Sequence, residues 1–256
     1  MKISIVTPSF NQGQFIEETI KSVLSENYSD FEHIIVDGGS TDNTIETLKK
    51  YPHLIWVSEP DNGQSDALNK GFKMATGDVI GWLNSDDYYL PGIFEKVAKE
   101  FNNSEIDAVY GNYMFIDGNG RITKKMKTIK PVRWLSLFTC YIPSTTFFFK
   151  REIIENKIFI DVDFHISMDK EFFAHILFSG YKIRKIEGTL SAFRWHESNK
   201  STDSKEIRNL IAKEGLIILS RYGGIYLKPT DFNVFIYKSV TAVVDNIRKI
   251  KARINC

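Results

Sequence analysis

IIVDGGSTDNT, residues 34–44, is the stretch that decides the fold. Its apolar start is typical of a buried strand and its paired glycines of a tight turn, and NTIETLKKY (43–51) continues with helical spacing. The turn exposes backbone N–H groups at a helix start, where anions and polar ligand edges bind. A plain turn with Ser40 or Asp42 capping the helix explains the same residues, and the stretch lacks the GxGxxG pattern of dinucleotide-binding loops.

Around this unit, the first hundred residues alternate strand and helix patterns. Strand patterns occur at KISIVTPSF (2–10), LIWVSEP (54–60) and DVIGWLN (78–84), and helix patterns at FIEETIKSVLSE (15–26) and DALNKGFKMA (66–75), the second of them ended by Gly77. Strands separated by single helices pair in parallel through right-handed crossovers. The sequence therefore predicts an α/β fold with a mostly parallel mixed sheet flanked by helices.

Polar residues follow each of these four strands. They are TPSFN, DGGSTD, EPDNGQSD and NSDD, at residues 7–11, 37–42, 59–66 and 84–87. In open α/β sheets, ligands bind beyond the carboxyl ends of the strands. The four polar strand ends therefore predict one binding site at one edge of the sheet.

The adjacent acids of NSDD, Asp86 and Asp87, have two explanations. Acidic side chains suit the N-terminus of the following helix pattern, PGIFEKVAKEF (91–101). Two acids beside an amide also suit a hard divalent cation with oxygen ligands. The stretch alone does not separate the two explanations. Its place at the shared edge favours a metal, with Asp86 assigned to the cation and Asp87 to the helix cap.

The pattern changes after about residue 105. AVYGNYMFID and RITKKMK, residues 108–117 and 121–127, predict a hairpin around GNG; STTFFFK (144–150) and KIRKIEGTLSAFRWH (182–196) predict strands; MDKEFFAHILFSGY (168–181) predicts a helix ended by Gly180; and the chain from about residue 203 reads as mostly helical.

Two later motifs carry chemical groups. Asp169 and Glu171 lie near a helix start, either as surface acids that suit the helix dipole or with one of them as a general base in a cleft. FRWHESNKS (193–201) combines Arg194 with His196. A lone histidine is more often structural, but beside an arginine it also fits a metal or phosphate contact.

Composition limits the class of protein. A chain of 256 residues with net charge +1 and 43% hydrophobic residues fits one large globular domain, and its charge does not indicate a nucleic-acid partner. Cys140 and Cys256 are too few for a disulfide framework or a zinc cluster. No signal-peptide pattern and no long uncharged apolar run is present, which favours the cytoplasm. KKMKTIK (124–130) and RKIKAR (248–253) are positive patches that suit phosphates, an anionic membrane surface or simply solvent.

Taken together, these segments resemble the family 2 glycosyltransferases. The matching text is IVTPSFNQGQFIEETIKSVLSENY, IIVDGGSTDNT, NGQSDALNKGFKMATGDVIGWLNSDD, STTFFFKRE, SMDKEFFAHILFSGYK and FRWHESNKS, in the family's order. The resemblance covers about residues 1–200. It implies the GT-A nucleotide-sugar-binding fold, with residues 1–105 as the nucleotide-binding half and 106–200 as the acceptor-binding half, followed by a helical C-terminal extension at 201–256.

The resemblance also implies roles for individual residues. The residues it places at the nucleotide sugar are Thr7, Pro8, Phe10 and Asp37 at the base, Gly63, Gln64 and Asp66 at the base and ribose, and Asn84 and Ser85 in NSDD. NSDD stands where the family has DxD, so that Asp86 would bind Mn²⁺ or Mg²⁺. MDKE stands where the family has its acceptor motif, so that Asp169 would be the base. Arg194 and His196 match a late motif that closes over the diphosphate and the metal, with His196 as a second metal ligand.

Three positions depart from the family pattern. Asn84 stands where an aspartate is common, which removes a charge near the metal. Leu68 stands where an arginine is often found, which removes a cation that could contact the diphosphate. Met168 replaces the acid often found before the base.

The resemblance implies an inverting hexosyltransferase of bacterial cell-envelope polysaccharide biosynthesis, with a nucleotide-sugar donor, expected to be UDP-linked, and an acceptor hydroxyl on a surface polysaccharide or lipid-linked oligosaccharide. The alternative is a catalytically inactive nucleotide-sugar-binding module. A nucleotidyltransferase would need a basic glycine-rich loop after the first strand, and TPSFNQGQ (7–14) has no basic residue.

The C-terminal segment FIYKSVTAVVDNIRKIKARI (235–254) combines apolar and basic residues at helical spacing. Such a helix can lie on anionic lipid at the inner face of the plasma membrane. It can equally pack on the domain or against a second subunit in a homodimer. Packing on the protein is the preferred interpretation.

Overall fold

A computed structural model of the chain describes residues 1–197, 199–200 and 204–254, without the side chains of residues 251, 253 and 254. Its strands are Ile3–Ser9 (β1), Phe31–Asp37 (β2), Ile55–Ser58 (β3), Val79–Trp82 (β4), Tyr88–Tyr89 (β5), Ala108–Ile116 (β6), Ile122–Met126 (β7), Phe148–Lys150 (β8) and Ile183–Arg194 (β9). Its α-helices are Ile16–Leu24 (α1), Thr44–Leu48 (α2), Gln64–Met74 (α3), Ile93–Phe101 (α4), Glu152–Glu155 (α5), Met168–Phe178 (α6), Lys205–Gly223 (α7) and Asp231–Ile254 (α8).

The described strands form one mixed sheet in the order β3-β2-β1-β4-β8-β6-β9-β5, with β7 paired to β6. β1 pairs in parallel with β2 and β4, and β2 pairs in parallel with β3. β6 and β9 form a fourth parallel pair, and β8 lies antiparallel between β4 and β6. The expected α/β fold is confirmed, because the first four βα units build the parallel half of the sheet.

Close packing of α3 on β1 fixes the geometry of the parallel half. Every residue of β1 is buried, as its continuous apolar run predicts for a strand covered on both faces. A Cβ atom on Gly71 would lie 2.3 Å from Val6 Cγ1, so a glycine is needed where α3 crosses β1. Helix α3 ends at Met74, and Ala75 is already extended, so the predicted helix pattern over residues 66–75 ran one residue too far.

The second half contains the expected hairpin, since β6 and β7 pair antiparallel. Gly180, at φ +91°, follows the end of α6 as predicted. The segment STTFFFK differs from the prediction of a continuous strand. Residues Ser144–Thr146 form a 3₁₀ turn, and the strand begins only at Phe148.

Helices α7 and α8 pack on the main domain, which confirms the preferred interpretation of the C-terminal segment. Leu216 of α7 and Val244 of α8 belong to the same buried cluster as Val36 of β2 and Phe173 of α6. The expected domain division near residue 200 stays a prediction. None of the described helices has the length and apolar content needed to cross a bilayer.

The strand register brings the predicted polar strand ends together. Ser9 pairs with Asp37, Asp37 pairs with Ser58, and Val6 pairs with Trp82. Because these strands are parallel and in register at their carboxyl ends, the loops that follow them emerge at one edge of the sheet.

Candidate active site

The loops at this edge border a cleft of about 740 Å³. The loops after β1, β2, β3 and β4 contribute to its lining, together with the start of α6 and the segment after β9. The predicted residues that line the cleft are Pro8, Phe10, Gly63, Gln64, Asn84, Ser85, Asp86 and Asp169. The predicted residues outside its lining are Thr7, Asp37, Asp66, Arg194 and His196. The structure therefore brings the metal candidate and the base candidate into the same cleft.

Thr7 and Asp37 are fully buried, and the expected direct contact of either residue with a base stays a prediction. The Asp37 carboxylate accepts hydrogen bonds from the backbone N–H groups of Gly39 and Ser40, at 3.1 and 2.8 Å. Thr7 Oγ1 lies 3.0 Å from Nε2 of the buried His33, whose pKa burial lowers to about 3. The polar atoms of Thr7 and Asp37 therefore form hydrogen bonds within the protein and stabilise the strand ends beneath the cleft.

The loop before α3 depends on a glycine. Gly63 has φ +101°, a backbone conformation that side-chain-bearing residues rarely adopt. Gln64 follows it into the cleft and donates from Nε2 to Asn84 Oδ1 at 3.1 Å. Asp66 instead accepts the Asn62 N–H at 3.1 Å and so holds the loop itself, which leaves the expected ligand contact of Asp66 without support from its position.

Asn84 is held on both sides of its amide. Its Oδ1 also accepts from Trp82 Nε1 at 2.9 Å, and its Nδ2 donates to Asp87 Oδ2 at 2.9 Å. The aspartate common at this position could not donate to Asp87, because an ionised carboxylate only accepts hydrogen bonds. The substitution therefore matches its surroundings.

The assignment of Asp87 as a helix cap is wrong. Its side chain is buried and accepts the Arg194 backbone N–H at 2.8 Å, while burial, followed by the neighbouring charge of Asp86, raises its pKa. Helix α4 starts at Ile93, and the N–H groups of Gly92 and Phe94 at its start are taken by the carboxylate of Glu26. Asp87 thus joins the NSDD turn to β9, whereas Asp86 faces the cleft.

Arg194 lies outside the lining of the cleft, and its expected diphosphate contact stays a prediction. The residue is 2% exposed, its Nε donates to the Asp86 carbonyl at 2.9 Å, and its guanidinium pairs with the carboxylate of Glu18. The group also lies 4.8 Å from the ring centre of Phe15. Arg194 therefore fixes the main chain that carries Asp86.

Asp86 and His196 form the candidate metal pair. His196 Nε2 lies 3.0 Å from Asp86 Oδ2, and Asn199 Nδ2 lies 3.4 Å from the same oxygen. No cluster of three or more His, Cys, Asp or Glu side chains that could hold a metal occurs among the described residues. One carboxylate and one imidazole nevertheless fit a Mg²⁺ or Mn²⁺ ion that takes its other ligands from substrate phosphates and water.

Asp169 lies at the first turn of α6, in a partly buried position in the cleft wall. Burial raises the pKa of its carboxyl group, and hydrogen bonds from the Lys170 N–H and the Cys140 thiol, at 2.6 and 3.4 Å, oppose that rise. A carboxylate with a raised pKa is a better proton acceptor at neutral pH than an ordinary aspartate.

Glu171, the other acid considered as a base, lies outside the cleft lining. It is 1% exposed and accepts hydrogen bonds from Arg221 and Tyr222 of α7 at 2.8 and 2.5 Å. The structure thus separates the two acids of MDKE into one that faces the cleft and one that anchors α6 to α7.

The buried carboxylate of Glu214 on α7 holds the segment before α6. It accepts backbone N–H groups of His165, Ile166 and Ser167, the last at 2.6 Å. Lys170 is also buried and donates to Tyr237 Oη of α8 at 2.6 Å, and burial lowers its pKa to about 8. No sequence signal marks Glu214, since it lies in an ordinary helical pattern 47 residues after Ser167.

At two of the positions that depart from the family pattern, an apolar side chain is buried in the protein. Leu68 is fully buried in the main core, so no side chain reaches a diphosphate from that position. Met168 is 4% exposed, and its sulfur accepts the Ser65 hydroxyl at 3.0 Å. Asp169 therefore has no acidic neighbour on its N-terminal side.

Sequence analysis also missed several residues that line the cleft, namely Asp61, His165, Phe193, Asn199 and Lys200. Asn199 and Lys200 lie inside FRWHESNKS, where the arginine and the histidine carried the more familiar signal. Asp61 lies in EPDNGQSD, and its Oδ1 accepts the Gly63 N–H at 2.8 Å. Lys200 is a cation that, unlike Arg194, lies in the cleft.

A family model for the glycosyl transferase family 2 matches residues 4–177, and the chain belongs to this family. An uncharacterized glycosyltransferase of Nostoc, alr2836, is 30% identical over 214 residues, covering 78% of this chain and 66% of that protein. One of Haemophilus influenzae is 31% identical over 140 residues, covering 53% of this chain and 56% of that protein. The chain thus spans at most about two thirds of the length of these relatives.

Solved structures establish the fold. Staphylococcus aureus TarS 1–349 in complex with UDP-GlcNAc superposes with a TM-score of 0.66 at 20% identity, covering 87% of this chain and 71% of that one. Mannosyltransferase PcManGT from Pyrobaculum calidifontis, in complex with GDP-Man and Mn²⁺, superposes with a TM-score of 0.67 at 17% identity, covering 98% and 73%. The chain has the GT-A fold with a helical C-terminal extension.

Proposed function

We propose that this chain is an inverting glycosyltransferase that moves a hexosyl group from a nucleoside-diphosphate sugar to an acceptor hydroxyl. The observation that carries the proposal is that Asp86 and Asp169 line one cleft, which the nucleotide candidates Pro8, Phe10 and Gln64 also border. Membership of the glycosyl transferase family 2 supports it.

Asp169 is the proposed general base. As the acceptor oxygen attacks the anomeric carbon, its proton passes to the Asp169 carboxylate, and the bond from the anomeric carbon to the diphosphate oxygen breaks. One displacement of this kind inverts the anomeric centre. The raised pKa of Asp169 suits the role, because a base works best with a pKa near the working pH.

Asp86 and His196 are the proposed ligands of a divalent cation, Mn²⁺ or Mg²⁺. The chemistry such a cation supplies is neutralisation of the charge that develops on the leaving diphosphate. Lys200 adds a positive charge from the chain itself on the same cleft. Arg194 contributes indirectly, by holding the main chain at Asp86.

The proposed donor is UDP-linked. Phe10 is 59% exposed at the cleft edge and offers a ring face on which a base can stack. TarS, which has the same fold, is known with bound UDP-GlcNAc, and PcManGT with GDP-Man. The proposed acceptor is a growing surface polysaccharide or lipid-linked oligosaccharide of a bacterial cell envelope.

The proposed location is the cytoplasmic face of the plasma membrane, with α8 as the contact. Its packed side carries Val234, Tyr237 and Val244. Its exposed side forms an apolar stripe of Phe232, Phe235, Ile236, Val243, Ile247 and Ile250, from 40% to 71% exposed. The exposed Lys249 lies next to Ile250 and supplies positive charge that suits anionic lipid, whereas Arg248 is bound to the protein through the Cys140 carbonyl and Asp245. Pairing of two stripes in a homodimer is the competing outcome. Lys251 and Arg253 of RKIKAR have side chains outside the described part.

A screen of nucleotide sugars tests the reaction and the metal together. We expect Mn²⁺-dependent binding of one UDP-sugar and its slow hydrolysis without acceptor. Asp86→Ala should weaken nucleotide binding in the presence of Mn²⁺, while Asp169→Asn should abolish turnover and leave nucleotide binding unchanged. Binding without any turnover of any donor would favour the inactive binding module, and turnover that survives both substitutions would exclude the mechanism.

A further inference from the structure

Four aromatic side chains form a continuous patch, the aromatic ridge, on one face of the β6–β9 pair. They are Tyr113 and Phe115 of β6, Phe193 of β9 and Trp195 just after it. Phe115 pairs with Phe193 in the parallel register, and residues two apart on a strand share a face. Ring centres lie 5.3 Å apart for Tyr113 and Phe115, 5.5 Å for Phe115 and Phe193, and 6.4 Å for Phe193 and Trp195.

The ridge is not needed to fill the core. The alternate residues Met114, Ile116 and Ala192 are the ones that pack into a buried cluster. The ridge side chains keep partial exposure, and Trp195 is 44% exposed. A sheet face directed to solvent ordinarily carries polar side chains, so a contiguous aromatic patch there indicates binding.

The ridge is continuous with the cleft at Phe193, which lines it together with Asp169. At the other end of the ridge, Tyr113 lies near Cys140, which contacts Asp169. Burial, the largest cause, raises the pKa of Tyr113 to about 12, and the nearby Cys140 contributes to the rise. The Cys140 Sγ atom lies 3.4 Å from Asp169 Oδ2. The ridge therefore adjoins the part of the cleft that carries the candidate base.

A polar side chain borders the rings. Lys124 of β7 pairs with Phe115 in the antiparallel register, so both side chains lie on the same face, and Lys124 is exposed. Aromatic rings flanked by a hydrogen-bond donor suit a pyranose, which presents an apolar C–H face and an equatorial belt of hydroxyl groups.

We propose that the aromatic ridge is a saccharide subsite that holds the acceptor by stacking pyranose rings on Trp195 and Phe193, with Lys124 at its polar edge. This assignment rests on the proposed transferase function, because it supplies the second substrate of that reaction. It defines the acceptor class as a pyranose-containing saccharide with its reacting hydroxyl directed toward Asp169.

The test is saturation-transfer NMR on the full chain with UDP and Mn²⁺. The probes are the methyl glycosides of glucose, galactose, mannose and N-acetylglucosamine. We expect transfer from aromatic protons to the C–H protons of at least one probe, a loss of roughly fivefold in Trp195→Ala, and retention of most of the signal in Trp195→Phe. Trp134→Ala is the matched control, because Trp134 is 52% exposed and lies outside the cleft lining.

Several outcomes would overturn the assignment. They are a signal equal in Trp195→Ala and wild type, an equal loss in Trp134→Ala, no signal from any probe, or Trp195-dependent self-association without saccharide binding. Calorimetric titration of UDP with Mn²⁺ separates this proposal from the transferase function. Intact UDP binding without a Trp195-dependent saccharide signal rejects the ridge alone, whereas a Trp195-dependent saccharide signal without UDP binding rejects the donor site alone.

Discussion

The carboxylate of Glu214 on α7 accepts the backbone N–H of Ser167 at 2.6 Å, two residues before Asp169 in the chain. It also accepts the N–H groups of His165 and Ile166, so one buried side chain from the C-terminal extension orders the segment that leads into α6. Because the family match ends at residue 177, this support comes from outside the matched region.

Glu214→Gln should reduce both stability and turnover. A neutral amide weakens the charge-assisted bonds, and we expect a loss of about 2 kcal/mol in the free energy of unfolding. The expected kinetic effect is a roughly tenfold lower kcat with an unchanged KM for the donor, since Asp169 would lose its fixed position. Thermal unfolding and steady-state kinetics measure the two effects, and Glu206→Gln, an exposed change on the same helix, is the control. A lower melting temperature with unchanged kcat would show that Glu214 has only a structural role.

The pH dependence of kcat/KM should report Asp169. The group must be ionised to take a proton, so the rate should fall as the pH falls through its pKa. Burial raises that pKa, which places the acidic limb above the value of about 3.9 for a free aspartate. The measurement is a pH–rate profile of the wild type between about pH 4 and 8.

Cys140→Ala should move the acidic limb of that profile to higher pH. The Cys140 thiol donates to Asp169 Oδ2 and lowers the pKa of that carboxyl group. Burial raises the same pKa, so removing the donor should raise the pKa further. Cys140→Ser, which keeps a donor, should restore most of the wild-type profile. An identical profile in all three proteins would contradict a proton transfer to Asp169 under these contacts.

The adjacent acids of NSDD should respond in opposite ways to substitution. Asp86→Ala should leave the melting temperature nearly unchanged and weaken Mn²⁺-dependent UDP binding by roughly tenfold or more. Asp87→Ala should cost about 2 kcal/mol of stability, because it leaves the buried Arg194 N–H without its acceptor. Calorimetry with and without a chelator, together with thermal unfolding, measures both. Equal losses of stability in the two variants would contradict the division of roles.

The apolar stripe of α8 should bind anionic vesicles. Val243 lies in the centre of the stripe, and its side chain is 59% exposed. Val243→Asp puts a charge there, and vesicle binding should fall by roughly tenfold. Asn119→Asp adds the same charge at an exposed position of the β6–β7 turn, outside α8, and should have a much smaller effect. Co-sedimentation with vesicles of mixed zwitterionic and anionic phospholipid measures binding. A concentration-dependent dimer that Val243→Asp dissociates, with no vesicle binding, would identify a second copy as the partner instead.

Most of the parallel half of the sheet was predictable, because each βα unit is encoded in a local pattern of apolar residues and turn formers. The run Ile34–Ile35–Val36 and the turn that follows it behave as predicted. The prediction was less successful where local chemistry is ambiguous. STTFFFK has the composition of a strand, yet its first residues turn, since Thr146 Oγ1 lies within hydrogen-bond distance of the Pro143 carbonyl and of β6.

The candidate site was also predictable only in part. Strand-end polarity predicted the edge of the sheet where the cleft lies, but could not tell a side chain in the cleft from one that supports it. Asp86 and Asp87 are neighbours in the chain, yet Asp87 points into the protein and Asp86 lines the cleft. The position of β9 decides this, because it brings the Arg194 N–H to the Asp87 carboxylate.

The sequence by itself therefore determined the α/β class and the common edge of the polar strand ends, and it named Asp86 and Asp169 as candidates there. Tertiary structure alone decided that Arg194 is buried beneath Asp86, that Glu214 orders the start of α6, and that the rings of β6 and β9 form one ridge. The physical reason is the sequence separation over which each kind of interaction acts. Strand and helix periodicity act over a few residues, whereas burial and hydrogen-bond partners depend on residues that only the folded chain brings together.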